Sequence, residues 1–110
     1  MTYLIVGEER SNRAKSMGVR WEDERLAAIP LFEGLRAAGV EPKSCRFVNW
    51  FEDGQAVVRS HKGQIIALGQ KVQKALTTEG IPFIALVHPA ARGSIRLRAN
   101  YVAHVVEQLA

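Results

Sequence analysis

A single cysteine, Cys45, is all that the 110 residues contain. It excludes an intramolecular disulfide and a cysteine-rich metal site, and it makes the cytoplasm the expected compartment. No apolar run approaches the length of a membrane span, so no membrane partner is expected. Met1 leads straight into an apolar run ending at Gly7-Glu8-Glu9, with neither a basic leader nor a small-residue cleavage site, so the start does not read as a signal peptide. Neither GxGxxG nor GxxxxGKS/T occurs, and Gly7, Gly18 and Gly69 do not compose a phosphate loop, which argues against a nucleoside-triphosphate enzyme. His61, His88 and His104 fall in no metal-ligand spacing, so neither a metal nor another cofactor is expected. Internal repeats, low-complexity tracts and linkers are also missing, and residues 1–110 read as one domain.

What is present is a 47% apolar chain, ample for one core, with a regular alternation of patterns. Strand-like runs occupy Thr2–Val6, Arg46–Asn49, Gln64–Leu68 and Pro82–Val87, all rich in Val, Ile, Phe and Leu. Between them, Leu31, Leu35 and Ala38 share one helical face that Gly39 closes. Pro30 means that this helix either starts near it or kinks there after a first segment from about Asp23. Val72, Ala75 and Leu76 give a short helix after Gly69, ending before Gly80-Ile81-Pro82. Val102, Val105, Val106 and Leu109 give the clearest apolar stripe, at i, i+3, i+4 and i+7. Asp53–His61 is ambiguous, readable as a short helix covering one sheet edge. The βαβαβαβα order predicts an α/β fold, a three-layer α/β/α sandwich with a four-stranded parallel sheet. Its ligand site is expected at the carboxyl ends of the strands, near a topological switch point.

Two strand exits stand out. The first apolar run empties into Gly7-Glu8-Glu9 and the last into His88-Pro89. The net charge is +4, and its placement is more telling than its size. Arg10, Arg13, Lys15 and Arg20 follow the first strand, whereas Arg92, Arg96 and Arg98 follow the last. Strands leaving on one edge would gather these cations around one mouth; otherwise they are ordinary solvated loop charges.

Each candidate has a plain structural reading beside its chemical one. Glu8 or Glu9 could orient or deprotonate a water, or the pair could be a solvated loop dipeptide. Pro89 biases His88 toward extended backbone, from which the imidazole could donate to a developing anion or simply cap a sheet edge. Asn49, between Val48 and Trp50, could read a base edge with its donor and acceptor, or end a strand in a turn. Trp21 and Trp50 could stack on a base or pack a core. His61 has no partner in the pattern, and His104 reads as a structural or solvated member of the final helix.

Taken in order, these pieces resemble the uracil-DNA glycosylase superfamily, especially its bacterial branches with a GEAPG-type first motif. YLIVGEE resembles the first strand and motif, and Gly18-Val19-Arg20-Trp21 stands where that branch has Gly-Arg-Pro-Phe. Leu31–Gly39, Phe47-Val48-Asn49 and Ile65-Ile66-Ala67-Leu68-Gly69 resemble the following helix and two strands, and Leu86-Val87-His88-Pro89 resembles the second motif. Gly7-Glu8-Glu9 and His88-Pro89-Ala90-Ala91-Arg92-Gly93 thus take the place of the usual motifs in a chain shortened ahead of the first.

The resemblance implies base excision in DNA repair, with uracil extruded from DNA. Under it, Trp21 stacks on the base, Asn49 recognises its edge, and His88 stabilises the departing anion. Glu8 or Glu9 orients the attacking water, and Arg10, Arg13, Arg92 and Arg96 grip phosphates. Two other readings compete: a catalytically inactive nucleic-acid- or nucleotide-binding domain, and an interaction module that shares the fold alone. DNA is the expected partner, and an exposed sheet edge on so small a sandwich allows a homodimer.

Overall fold

β-Branched and other bulky apolar residues fill the four strand-like runs, and in the computed structural model each run contains a strand. The structure describes residues 3–90 and 97–109. In chain order the elements are β1 (Tyr3–Gly7), α1 (Asn12–Met17), α2 (Ala28–Ala37), β2 (Arg46–Asn49), α3 (Gln55–Ser60), β3 (Gln64–Leu68), α4 (Gln70–Thr78), β4 (Ile84–Leu86) and α5 (Arg98–Leu109). Short 3-10 turns lie at Trp21–Asp23 and Pro42–Ser44. The sheet runs in the order β2-β1-β3-β4 and every pair is parallel.

Alternation along the strands builds two cores. Tyr3, Ile5, Phe47, Ile66, Leu68 and Leu86 face α2 and α5, meeting Leu31, Leu35, Tyr101 and Val105. Leu4, Val6, Ile65 and Ala67 face the other way, onto Val58 of α3 and Val72 and Leu76 of α4. The central strands β1 and β3 are therefore apolar on both faces, as a covered parallel sheet requires. The result is a three-layer α/β/α sandwich. The step from β1 to β2 runs opposite to the steps β2 to β3 and β3 to β4, and its helix lies on the opposite face. A uniform crossover handedness demands that reversal.

Local chemistry explains the boundaries. Pro30 sits in the first turn of α2, where its missing N–H would have no intrahelical partner anyway. The helix ends as Gly39 predicts, with Gly39 N–H donating to Arg36 O and Val40 N–H to Leu35 O, a Schellman closure. β4 is shorter than the Pro82–Val87 run because its flanks are used elsewhere. Pro82 has no N–H, Ile81 N–H closes α4 on Leu76 O, and both polar groups of Val87 bond side chains of α5. Gln55–Ser60 resolves the ambiguous segment as a helix, and it covers a sheet face through Val58. α1 is an element that apolar periodicity does not reveal: it is six residues long and buries Ala14 alone. The buried line of α5 also differs from the valine stripe. Tyr101 and Val105 are its buried residues, with Leu109 packed beside them and Val102 and Val106 at the margin. No helix among the described residues is long and apolar enough to cross a membrane.

Candidate functional site

From β1 the chain steps to β2 on one side and later returns to β3 on the other, so the switch point lies between the exits of β1 and β3. A cleft of about 760 Å³ opens there, lined by Glu8, Trp21, Phe51, Lys71 and His88 among others. A second hollow of about 580 Å³ adjoins it across Glu8, Lys71 and His88, over the exits of β3 and β4.

The first exit is held by a polar chain. Trp21 Nε1–H donates to Asn49 Oδ1 at 2.9 Å, and Asn49 Nδ2–H donates to Glu52 Oε2 at 2.8 Å. Glu52 also accepts from the Arg10 backbone N–H at 2.9 Å and from Arg10 Nε–H at 3.2 Å. The loop after β1 is thereby tied to the turn after β2, and Trp50 N–H to Gly7 O and Phe51 N–H to Glu8 O reinforce the seam. Gly7 is needed for this closure. A Cβ there would stand 2.6 Å from Asn49 Oδ1 and 3.0 Å from the Trp21 ring. Desolvation alone would raise the Glu52 pKa, but the Arg10 and Asn49 hydrogen bonds outweigh it and hold the carboxyl below its usual range.

The second exit is held by neutral groups. Gln73 Nε2 donates to Ala67 O and Leu86 O, bridging the ends of β3 and β4. Gly69 N–H donates to Leu86 O. One residue on, Val87 N–H donates to His104 Nε2 at 3.0 Å and Val87 O accepts from Tyr101 Oη at 2.7 Å. Burial raises the Tyr101 phenol above its ordinary range, so it stays a donor. Gly69, at φ 90°, takes a backbone that L side chains rarely adopt, and a Cβ on it would lie 3.3 Å from His88 Cβ.

His88 projects from this clamped strand end. Its Nδ1 accepts from Ala90 N–H at 3.0 Å, so in the neutral ring the proton sits on Nε2. Burial pushes its pKa below 6.5, opposed by the charge of Glu8. Its ring lies 6.2 Å from that of Trp21, tilted by 57°. Trp21 is backed by Phe47 at 6.5 Å, and Phe47 by Phe32 at 5.1 Å, so its ring rests on an aromatic base.

The two glutamates separate. Glu8 is half-buried and lines both hollows beside His88, whereas Glu9 is exposed and paired with Lys15 at 3.1 Å. Asn49 does not present its amide to the cleft as a base reader would; both ends serve Trp21 and Glu52. Arg10 lines the cleft but is committed to Glu52, while Arg13 lines it with no carboxylate partner among the described residues. Arg92 and Arg96 lie outside the described residues. Trp50 is a core residue, with the Arg59 guanidinium 5.3 Å from its ring centroid. His61 precedes β3, at the other end of the sheet, and its Nε2 is buried without a hydrogen-bond partner. His104 is structural, through Val87.

Glu52, Gln73, Tyr101 and Phe51 escape the sequence reading. A carboxylate three residues after Asn49 is a local signal for Glu52. For Gln73 and Tyr101 the meaning lies in distant partners, and for Phe51 in its exposure at the cleft. Among the described residues no cluster of three or more His, Cys, Asp or Glu could hold a metal ion. No protein-family model matches the chain, and no curated protein matches it.

Proposed function

We propose that this chain is a compact DNA-base N-glycosylase of the uracil-DNA glycosylase type. The observation that carries the reading is His88. Its Nδ1 is occupied by Ala90 N–H, its ring is biased toward the neutral form, and it lines one cleft with Glu8 and Trp21. A neutral Nε2–H is a fixed donor for negative charge that develops on a leaving base. Trp21 stacks on the extruded base, held upright by Asn49 and supported by Phe47. Glu8 orients a water and takes its proton as the water oxygen bonds to C1′ of the sugar. The N-glycosidic bond breaks with its electron pair on the base, whose anion accepts the Nε2–H hydrogen bond. The products are the free base and an abasic sugar. Arg13, Arg20, Arg25 and Lys71 supply positive charge around the cleft for the phosphates.

A second reading, a catalytically inactive nucleic-acid- or nucleotide-binding domain of the same fold, is favoured by Asn49, whose amide is engaged within the protein. One assay separates them. An oligonucleotide carrying one uracil, single- or double-stranded, is incubated with protein and then cleaved by alkali at any abasic site. Cleavage that falls roughly 100- to 1,000-fold in His88→Ala is expected for loss of a charge-stabilising donor. No cleavage by folded wild type at enzyme excess would sink the glycosylase reading.

A further inference from the structure

Phe51 is a large aromatic side chain, 47% exposed, at the mouth of the cleft. Its neighbour Trp50 is 4% exposed and packed in the core, so the pair splits into one ring inward and one outward. The outward ring is not on a loose loop. Phe51 N–H is bonded to Glu8 O, Gly54 N–H to Asn49 O, and the Glu52 carboxylate anchors the turn to Arg10 and Asn49. Phe51 makes no ring contact among the described residues. A rigid turn thus holds an unpartnered aromatic face in water, beside the cleft where Trp21 presents its own.

The charge lining the cleft is one-sided, although Glu52 and Asp53 follow Phe51 in its own turn. Six cations, Arg10, Arg13, Lys15, Arg20, Arg25 and Lys71, line the same cleft against two carboxylates, Glu8 and Glu9. Arg10 and Lys15 are spent on Glu52 and Glu9, which leaves four cations without a carboxylate partner among the described residues. An exposed aromatic ring beside unpaired cations is the combination that grips a single-stranded nucleic acid: the cations follow the phosphates while the ring takes an unpaired base.

We infer that Phe51 forms a second base-stacking subsite, for an unpaired nucleobase flanking the one in the cleft, and that it makes this a single-strand-preferring surface. The inference rests on the reading of the cleft as a nucleic-acid site but not on excision.

The test measures binding to a uracil-free thymidine oligonucleotide by fluorescence anisotropy, at several salt concentrations, beside the matching duplex. Excision is assayed separately. Phe51→Ala is expected to weaken single-strand binding roughly 5- to 100-fold, the usual loss for one stacked base. Phe51→Leu should lose nearly as much, and Phe51→Trp should bind as well as wild type, because the ring face matters rather than apolar bulk. The salt slope should stay unchanged in all three, since a ring releases no counterions, whereas Arg13→Ala should flatten it. Thermal midpoints should hold, the side chain being exposed. The inference is overturned if Phe51→Ala binds the single strand as wild type does, if single strand and duplex weaken alike, or if wild type shows no salt-dependent binding. Excision by a Phe51→Ala protein with unchanged binding would defeat this subsite and leave the glycosylase reading standing. Phe51-dependent binding without excision would do the reverse.

Discussion

The exits of β1 and β2 and the exits of β3 and β4 meet at one cleft but are held by different chemistry. On the first side a guanidinium, a carboxylate, an amide and an indole form a half-exposed chain, Arg10–Glu52–Asn49–Trp21. On the second side Gln73, Tyr101 and His104 bond strand-end backbone through neutral groups, with Tyr101 1% exposed. An ion pair near water is worth little and weakens with salt. A hydrogen bond to strand-end backbone, made by a buried phenol, is insensitive to salt and costly to leave unmade. The side that carries His88 is thus the firmer one, and the side that carries the carboxylates and the Trp21 ring is the more responsive.

The comparison breaks most visibly at Tyr101. Tyr101→Phe removes one hydroxyl and leaves Val87 O without its donor, so a loss of about 1–2 kcal/mol is expected in urea unfolding, equal at low and high salt. Excision should fall with it, because the peptide ahead of His88 loses an anchor. A stability loss that shrinks with salt would erase the distinction between the two sides.

A smaller effect belongs to Glu52. Glu52→Gln should cost up to about 1 kcal/mol at low ionic strength and almost nothing near 1 M salt. The same variant sharpens the pH dependence. The Glu52 pKa is lowered in the folded protein, so its contribution is complete above the ordinary carboxylate value of 4.5 and is lost as pH falls through the lowered one. Acid unfolding profiles should show wild type losing part of its advantage over Glu52→Gln in that window.

The smallest expected change is a titration. His88 should titrate below 6.5 by NMR, and Glu8→Gln should move it lower still, since Glu8 is the charge that opposes burial. A depressed histidine favours the fold above 6.5, and that favour is lost as pH falls toward the lowered value. Excision should decline as pH passes through the lowered value itself, where the folded ring becomes charged. A His88 pKa at or above 6.5 would remove the physical basis for the neutral donor.

Much of the architecture was legible because its signals are local. Apolar runs marked all four strands, and Gly39 and Gly80 marked the ends of α2 and α4. Glu8, Glu9 and His88 do line one cleft, as the paired strand exits predict, and Trp21 joins them there from a segment the exits say nothing about. What stayed hidden depends on partners far along the chain. Glu52 and Arg10 are 42 residues apart, and Tyr101 reaches Val87 across 14, so neither pattern nor propensity exposes them. The valine stripe of α5 misled for a related reason. The helix turns Tyr101 inward because its hydroxyl finds a backbone acceptor, and an apolarity count has no way to reward that.

The bonds at Val87 have one more consequence. Leu86 O faces β3, where it receives Gly69 N–H, so the polar groups of Val87 point to the open side of the sheet. Those are the groups through which a stray strand from another chain would pair and begin an aggregate. Tyr101 and His104 occupy both of them, so the helix that steadies the cleft also blunts the end of the sheet against unwanted templating.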